Sequence, residues 1–140
     1  MTAYLRAATL AALLAVAASP ALAHGTTLPD VSSLPKDVIQ LSGVVPGMGE
    51  HWANPAHLPL GPIYGVSNGK VIFLEFMIDQ DSFKTGKSFL ELASKAGIEL
   101  PPVDHVDFNF EPQGHEGYEV PHYDVHMYFV SHDNHMAITP

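Results

Sequence analysis

Ile63-Tyr64-Gly65-Val66-Ser67-Asn68-Gly69-Lys70-Val71-Ile72-Phe73-Leu74-Glu75-Phe76-Met77-Ile78 decides the fold class of this 140-residue chain. Asn-Gly between apolar runs is the strongest short-range signal for a type I′ turn, because both central residues must take positive φ. Residues 63–66 therefore read as one strand of a hairpin and residues 70–78 as its partner. The partner strand is apolar on both faces, which places Glu75 in the interior. A buried carboxylate is costly unless it is paired or bound to a metal. The alternative is a glutamate at the mouth of a barrel, reaching water.

Outward from the hairpin, the chain reads as mostly β. Residues 38–41 suggest a short strand, and the Thr, Ser and Pro of residues 24–37 an extended N-terminal arm. Pro46, Gly47, Gly49, Pro55, Pro59, Gly61 and Pro62 exclude a long helix or a central strand and mark a shaped loop. Downstream, Asp81 or Ser82 can cap a helix. Phe89, Leu92, Ala93 and Ala96 recur at helical spacing, and Gly97 sits where a left-handed terminator belongs, so a helix is predicted near residues 86–96. Residues 103–110 alternate, with Val106, Phe108 and Phe110 on one face. A Gly-rich loop follows at 111–117, then a last strand from about residue 118 to 130. The expected fold is mainly β (α+β): a small antiparallel β-barrel or sandwich with one helix, forming a single domain over residues 38–130. The polar residues 131–140 read as an irregular C-terminal tail.

Composition narrows the function classes. Six Lys+Arg stand against 15 Asp+Glu, for a net charge of −9, which argues against nucleic acid and anionic membrane surfaces as partners. The absence of cysteine removes disulfides, thiolate metal sites and cysteine nucleophiles together. Arg6, the apolar residues 7–18, and Ala21-Leu22-Ala23 after Pro20 have the layout of a secretory signal peptide over residues 1–23. The run falls short of the ~20 unbroken apolar residues of a membrane span, although a retained anchor is the alternative. Cleavage after Ala23 predicts a periplasmic or secreted chain with no membrane span. It also leaves a chain without arginine, since Arg6 is the only one.

Nine histidines outnumber lysine and arginine combined, and their placement is not uniform. In the last strand Tyr123, Val125, Met127 and Phe129 form a core face, while His122, Asp124, His126 and Tyr128 alternate with them. His105, Asp107 and Asn109 similarly oppose Val106 and Phe108. If the two strands pair, up to three histidines and two aspartates share one surface. An exposed polar face is the alternative. Along a strand i and i+4 lie ~13 Å apart, and imidazole nitrogens must stand ~2.0–2.1 Å from a shared ion. His122 and His126 therefore cannot easily share a metal on a flat strand. His51, in Gly47-Met48-Gly49-Glu50-His51-Trp52, sits in the shaped loop, and His115 in Gly114-His115-Glu116-Gly117 is placed to cover a neighbouring cleft. His57, His132 and His135 carry little signal. His24 would become the mature N-terminus, where its α-amine and imidazole can chelate Cu(II), as in histidine-brace proteins. Thr85-Gly86-Lys87-Ser88 lacks the first glycine of a phosphate loop, and there is no Gly-x-Ser-x-Gly elbow.

Gly47-Met48-Gly49-Glu50-His51, Gly61-Pro62-Ile63-Tyr64-Gly65, Gly69 through Glu75, and Gly114-His115 through Pro121-His122-Tyr123-Asp124-Val125-His126-Met127-Tyr128 resemble the signature blocks of an exported prokaryotic family of unknown function. The resemblance covers most of residues 44–128, with the Pro-His-aromatic-Asp-x-His block the most specific. It implies an exported β-rich domain and no particular reaction. It also implies that His51, Glu75, His115, His122, Asp124 and His126 belong to recurring motifs. The leading expectation is a metal-binding domain using His51, Glu75, His122 and His126, with Asp124 and His115 in support. Imidazole plus carboxylate suits a divalent transition metal (Zn, Cu or Fe), and no organic cofactor is indicated. The alternatives are a metal-free, homo-oligomeric binding or structural module with a pH-responsive histidine face, and a copper protein built on His24. Whether the protein is an enzyme, and which small molecule it would meet, is left open by these residues.

Overall fold

The computed structural model describes residues 27–140. The hairpin at its centre forms as expected. β3 (Ile63–Ser67) and β4 (Lys70–Asp79) pair antiparallel and close on Ser67 and Lys70, with Asn68 at φ 51° and Gly69 at φ 73°. β2 (Glu50–Ala53) and then the two-residue β1 (Ile39–Gln40) extend the sheet on the β3 side. On the other side β6 (His122–Tyr128) pairs with β4, and β5 (His105–Glu111) pairs with β6. The order is β1-β2-β3-β4-β6-β5, antiparallel throughout.

This is a mainly β architecture with two short helices, α1 (Gln80–Lys84) and α2 (His132–Met136). The sheet is open, with β1 and β5 at its edges, which corrects the barrel alternative. β2 is also a correction. It lies inside the sheet despite the surrounding prolines and glycines, because those breakers flank its four residues and do not interrupt them.

The helix predicted near 86–96 does not form. Asp79 caps α1 ahead of it, its carboxylate accepting from the Ser82 backbone N–H and from Ser82 Oγ, each at 2.7 Å. Residues 92–96 make only a 3₁₀ turn, bounded by Glu91 at φ 53° and Gly97 at φ 65°. Their apolar spacing is used differently: Leu92, Ala96, Ile98 and Leu100 lie as a strap against Tyr64, Leu74 and Phe76. Tyr64 Oη donates to the Ala96 carbonyl at 2.6 Å and fastens the strap to β3. The N-terminal segment covers the same face with Leu28, Val31, Leu34 and Val38. It is tied to the hairpin by Val31 N–H to Gly69 O, 2.9 Å, and by a Lys70–Asp30 ion pair. The largest apolar cluster therefore lies on this side of the sheet, with smaller ones around Ala53, Ile63 and Met77 and around Phe73 and Tyr128 on the other. Among the described residues no helix is long and apolar enough to cross a membrane.

Cover on the side of the largest cluster stops short of β5. Val106, Phe108 and Phe110 are 48%, 61% and 41% exposed, whereas their alternation with polar residues predicts a core face. On β5 the expectation is inverted, since His105, Asp107 and Glu111 are the partly covered side, whereas β6 is covered on both faces, at Val125 and Phe129 on one and at His122, Asp124, His126 and Tyr128 on the other. Residues 131–140 supply part of the cover on the polar face. They fold into α2 and bury His135, which corrects the reading of an irregular tail.

Candidate metal centre

Strand register lays the polar residues out in rows on the second face. His51, Gly65, Phe73, Tyr128 and His105 oppose one another in sequence across five strands. The next row is Ala53, Ile63, Glu75, His126 and Asp107; beyond it lie Met77, Asp124 and Asn109, then Asp79, His122 and Glu111. Strand residues two apart share a face, so every one of these side chains emerges on the same side. Met48 from the glycine-rich loop packs near Phe73 and Tyr128, Tyr118 stacks at 4.6 Å on the His122 ring, and His135 stacks at 4.1 Å on Tyr128. Glu75, His122, Asp124 and His126 are all buried beneath this cover.

Four of the sequence candidates fall into two groups. His122 joins His115 and Asp124. The Nε2 atoms of His115 and His122 stand 3.1 Å apart, Asp124 Oδ1 is 3.1 Å from His122 Nε2, and Asp124 Oδ2 is 3.8 Å from His115 Nε2. His51, Glu75 and His126 form the other group, with His51 Nε2 and His126 Nε2 each 3.8 Å from Glu75 Oε2. Glu75 Oε2, Asp124 Oδ1 and both ring nitrogens of His126 are buried without hydrogen-bond partners. The two supporting candidates, His115 and Asp124, are thus as well placed as the four named first.

Hydrogen bonds fix the ring tautomers. His122 Nδ1 is 2.7 Å from the Val120 carbonyl oxygen and His115 Nδ1 is 3.2 Å from that of Glu116. A carbonyl only accepts, so each Nδ1 carries a proton, and in the neutral ring each Nε2 presents the lone pair. His51 follows the same rule through Ser42. That hydroxyl donates to Gly43 O at 2.8 Å and accepts from the His51 backbone N–H at 3.0 Å, so it accepts from His51 Nδ1 at 3.2 Å. The loop that positions His115 is equally determined. Gly114 has φ 69°, and a Cβ there would stand 2.2 Å from Tyr118 O and 2.8 Å from Val120 O. Only glycine allows the turn that brings both the His115 ring and the Val120 carbonyl to His122.

Electrostatics of the face follow from burial without cations. Lys70 and Lys84 pair with Asp30 and Asp81, away from these groups. Burial, reinforced by the charge of Asp124, pushes Glu75 up to about 8. Burial also raises Asp124, with His122 and His115 pulling it back. His126 is lowered to about 4 by burial and by His51, and His51 is lowered by burial and by His115. The imidazoles of His51 and His126 are thereby held neutral, as metal ligation requires. Neither of the main surface clefts, one along residues 27–33 and 97–102 and one beside Glu50 and Asn134, is lined by any of these histidines.

The fold resembles that of a solved structure. That structure is the crystal structure of the hypothetical protein TTHB210 from Thermus thermophilus, superposing with a TM-score of 0.59 over 70% of this chain and 91% of that chain, at 24% identity. No family model matches the sequence, and no curated protein matches it. The likeness is one of backbone architecture.

Sequence reasoning undervalued His132 and His135, which the structure brings to His105 at the far end of the same face. Their i, i+3 spacing in a polar segment was the available signal. His57 stays apart, exposed in a 3₁₀ turn at Pro55–His57. The expected signal peptide over residues 1–23 and His24 lie outside the described residues.

Proposed function

We propose that this protein is an exported metal-binding domain that holds a divalent transition metal through His115, His122 and Asp124, with His51, Glu75 and His126 alongside. The observation that carries this reading is the facing pair of Nε2 lone pairs, 3.1 Å apart, with the Asp124 carboxylate 3.1 Å away. Three acceptors that close repel one another unless a cation lies between them. Ligand atoms ~2.0–2.1 Å from a tetrahedral ion are about 3.4 Å from each other, and the observed 3.1, 3.1 and 3.8 Å bracket that spacing. The carbonyls that hold each Nδ1–H are the partners that orient metal-binding imidazoles generally. Two imidazoles and a carboxylate suit Zn(II), Fe(II) or Cu(II) and leave coordination positions for water or a small ligand. Export rests on the signal-like residues 1–23 and on the resemblance to exported proteins.

Elemental analysis and zinc titration of untagged protein test the reading. One equivalent of metal at this site is expected, with a melting temperature that rises with zinc and falls back with chelator. His122→Ala should weaken zinc binding by more than the roughly 10–100-fold that follows loss of a supporting hydrogen bond. Unchanged affinity in that variant, or a melt indifferent to zinc, would mean that the two rings share a proton instead.

A second reading, a homo-oligomer, draws on β5. Its outer backbone edge is unpaired and its Val106, Phe108 and Phe110 side chains are exposed, the features through which edge strands associate. Phe108→Lys should then convert a dimer to a monomer by light scattering without lowering the melting temperature of the monomer.

A further inference from the structure

The C-terminal helix α2 returns two histidines to the sheet. His132 and His135, one helical turn apart, face His105 and Asp107 of β5, and one donor atom from each of the four lies within 4.8 Å of the others. His135 Nδ1 donates to the Gly47 carbonyl at 2.8 Å, which leaves its Nε2 bare and 3.1 Å from His132 Nδ1. His105 Nδ1 donates to the Asp104 carboxylate at 2.9 Å, the arrangement that orients a metal-bound imidazole, and its Nε2 is buried without a partner. A proton on His132 Nδ1 would satisfy the pair within α2. It would leave His105 Nε2 facing them unsatisfied.

We infer that His105, Asp107, His132 and His135 form a second metal site, separate from the first and sharing no ligand with it, that clasps the C-terminal helix to the edge of the sheet. Three imidazoles and one carboxylate make a closed four-ligand set, the coordination number of structural zinc. Two ligands come from β5 and two from α2, so the ion bridges elements that the backbone joins only through β6. Few other contacts hold α2. His135 stacks on Tyr128, its ring bonds Gly47, and the Gly47 N–H donates to Ile138 O at 3.0 Å. The four ligand atoms already lie within 4.8 Å of one another, and His132, exposed, and Asp107, half-buried, are the members with room to adjust.

Zinc titration of the untagged full chain, stripped with chelator, tests this together with amide exchange of residues 131–138. The unmodified protein is expected to bind two equivalents, His132→Gln one, His115→Gln one, and the double variant none. Zinc should slow exchange of residues 131–138 at least tenfold in the unmodified protein and in His115→Gln, and leave it unchanged in His132→Gln. His132 is exposed, so its replacement leaves the core intact. Two equivalents retained by His132→Gln, or exchange in α2 indifferent to zinc, would overturn the clasp. A single equivalent lost only through His132→Gln, with His115→Gln unaffected, supports the clasp and removes the first site instead.

Discussion

Phe73→Ala is expected to destabilise the protein by about 3–5 kcal/mol, the range for truncating a fully buried phenylalanine. Phe73 is wholly inaccessible, and its ring forms the floor between the two halves of the histidine face, edge-on to His126 at 5.0 Å, Tyr128 at 5.2 Å and His51 at 5.7 Å. The space it fills is opened by Gly65 across the β3–β4 pair: a Cβ at residue 65 would stand 2.0 Å from Phe73 Cε1 and 2.3 Å from Cδ1. Gly65→Ala alone therefore forces the ring aside, at about 1–3 kcal/mol for an overpacked core. The two changes are coupled, because the alanine methyl enters the cavity the phenyl leaves. The double variant should be less destabilised than the sum of the single ones. Urea unfolding of the four proteins reads this directly; strict additivity would show that Gly65 is not there for the ring.

The second large effect is a dependence of apoprotein stability on pH. Glu75 is raised from an ordinary carboxyl value to about 8, so the folded state favours its neutral form. Its contribution is fully present below pH 4.5 and is lost as pH rises through 8. His126, lowered to about 4, works in the other sense: the folded state favours neutral imidazole, and stability falls as pH drops from 6.5 towards 4. The two slopes oppose each other between pH 4.5 and 6.5. Above 6.5 only Glu75 of this pair titrates, and at about 1.4 kcal/mol per pH unit the chelated protein should lose about 2 kcal/mol between pH 6.5 and 8. Glu75→Gln should remove that alkaline decline and keep the acid one. Added zinc should reverse it, since deprotonated ligands bind metal more tightly at higher pH. A chelated protein equally stable at both ends of that range would show that Glu75 ionises freely in the fold.

The Asn68-Gly69 turn and the doubly apolar β4 were legible because their causes are local: positive φ at two adjacent residues, and burial of both faces of one strand. Glu75 was legible for the same reason, a lone carboxylate in an apolar run. The helix near 86–96 was misread because Leu92 and Ala96 have helical spacing but belong to a strap that meets the sheet at residues 92, 96, 98 and 100, with Ala93 exposed. Alternation in β5 revealed a period of two but not which face is covered; that depends on the loop at 112–121 and on α2, which arrive from distant sequence. The histidine groups divide as strand rise demands, with His122 and His126 in different clusters. No rule of strand spacing could place His132 and His135, because a tail's return to the sheet is tertiary.

The strand order has a temporal consequence. β1 through β4 pair with sequence neighbours and can assemble as a meander while the chain beyond residue 80 is still unfolded. β5 and β6 form a second hairpin that docks by slotting β6 against the free edge of β4. His51 and Glu75 belong to the first unit; His105, His115, His122, Asp124, His126 and the tail belong to the second. Only the His51, Glu75 and His126 group spans both halves and comes into being at that docking step, whereas His115, His122 and Asp124 lie within the second. Docking completes the burial of Glu75 against His126, which sets it up as the slow step of folding.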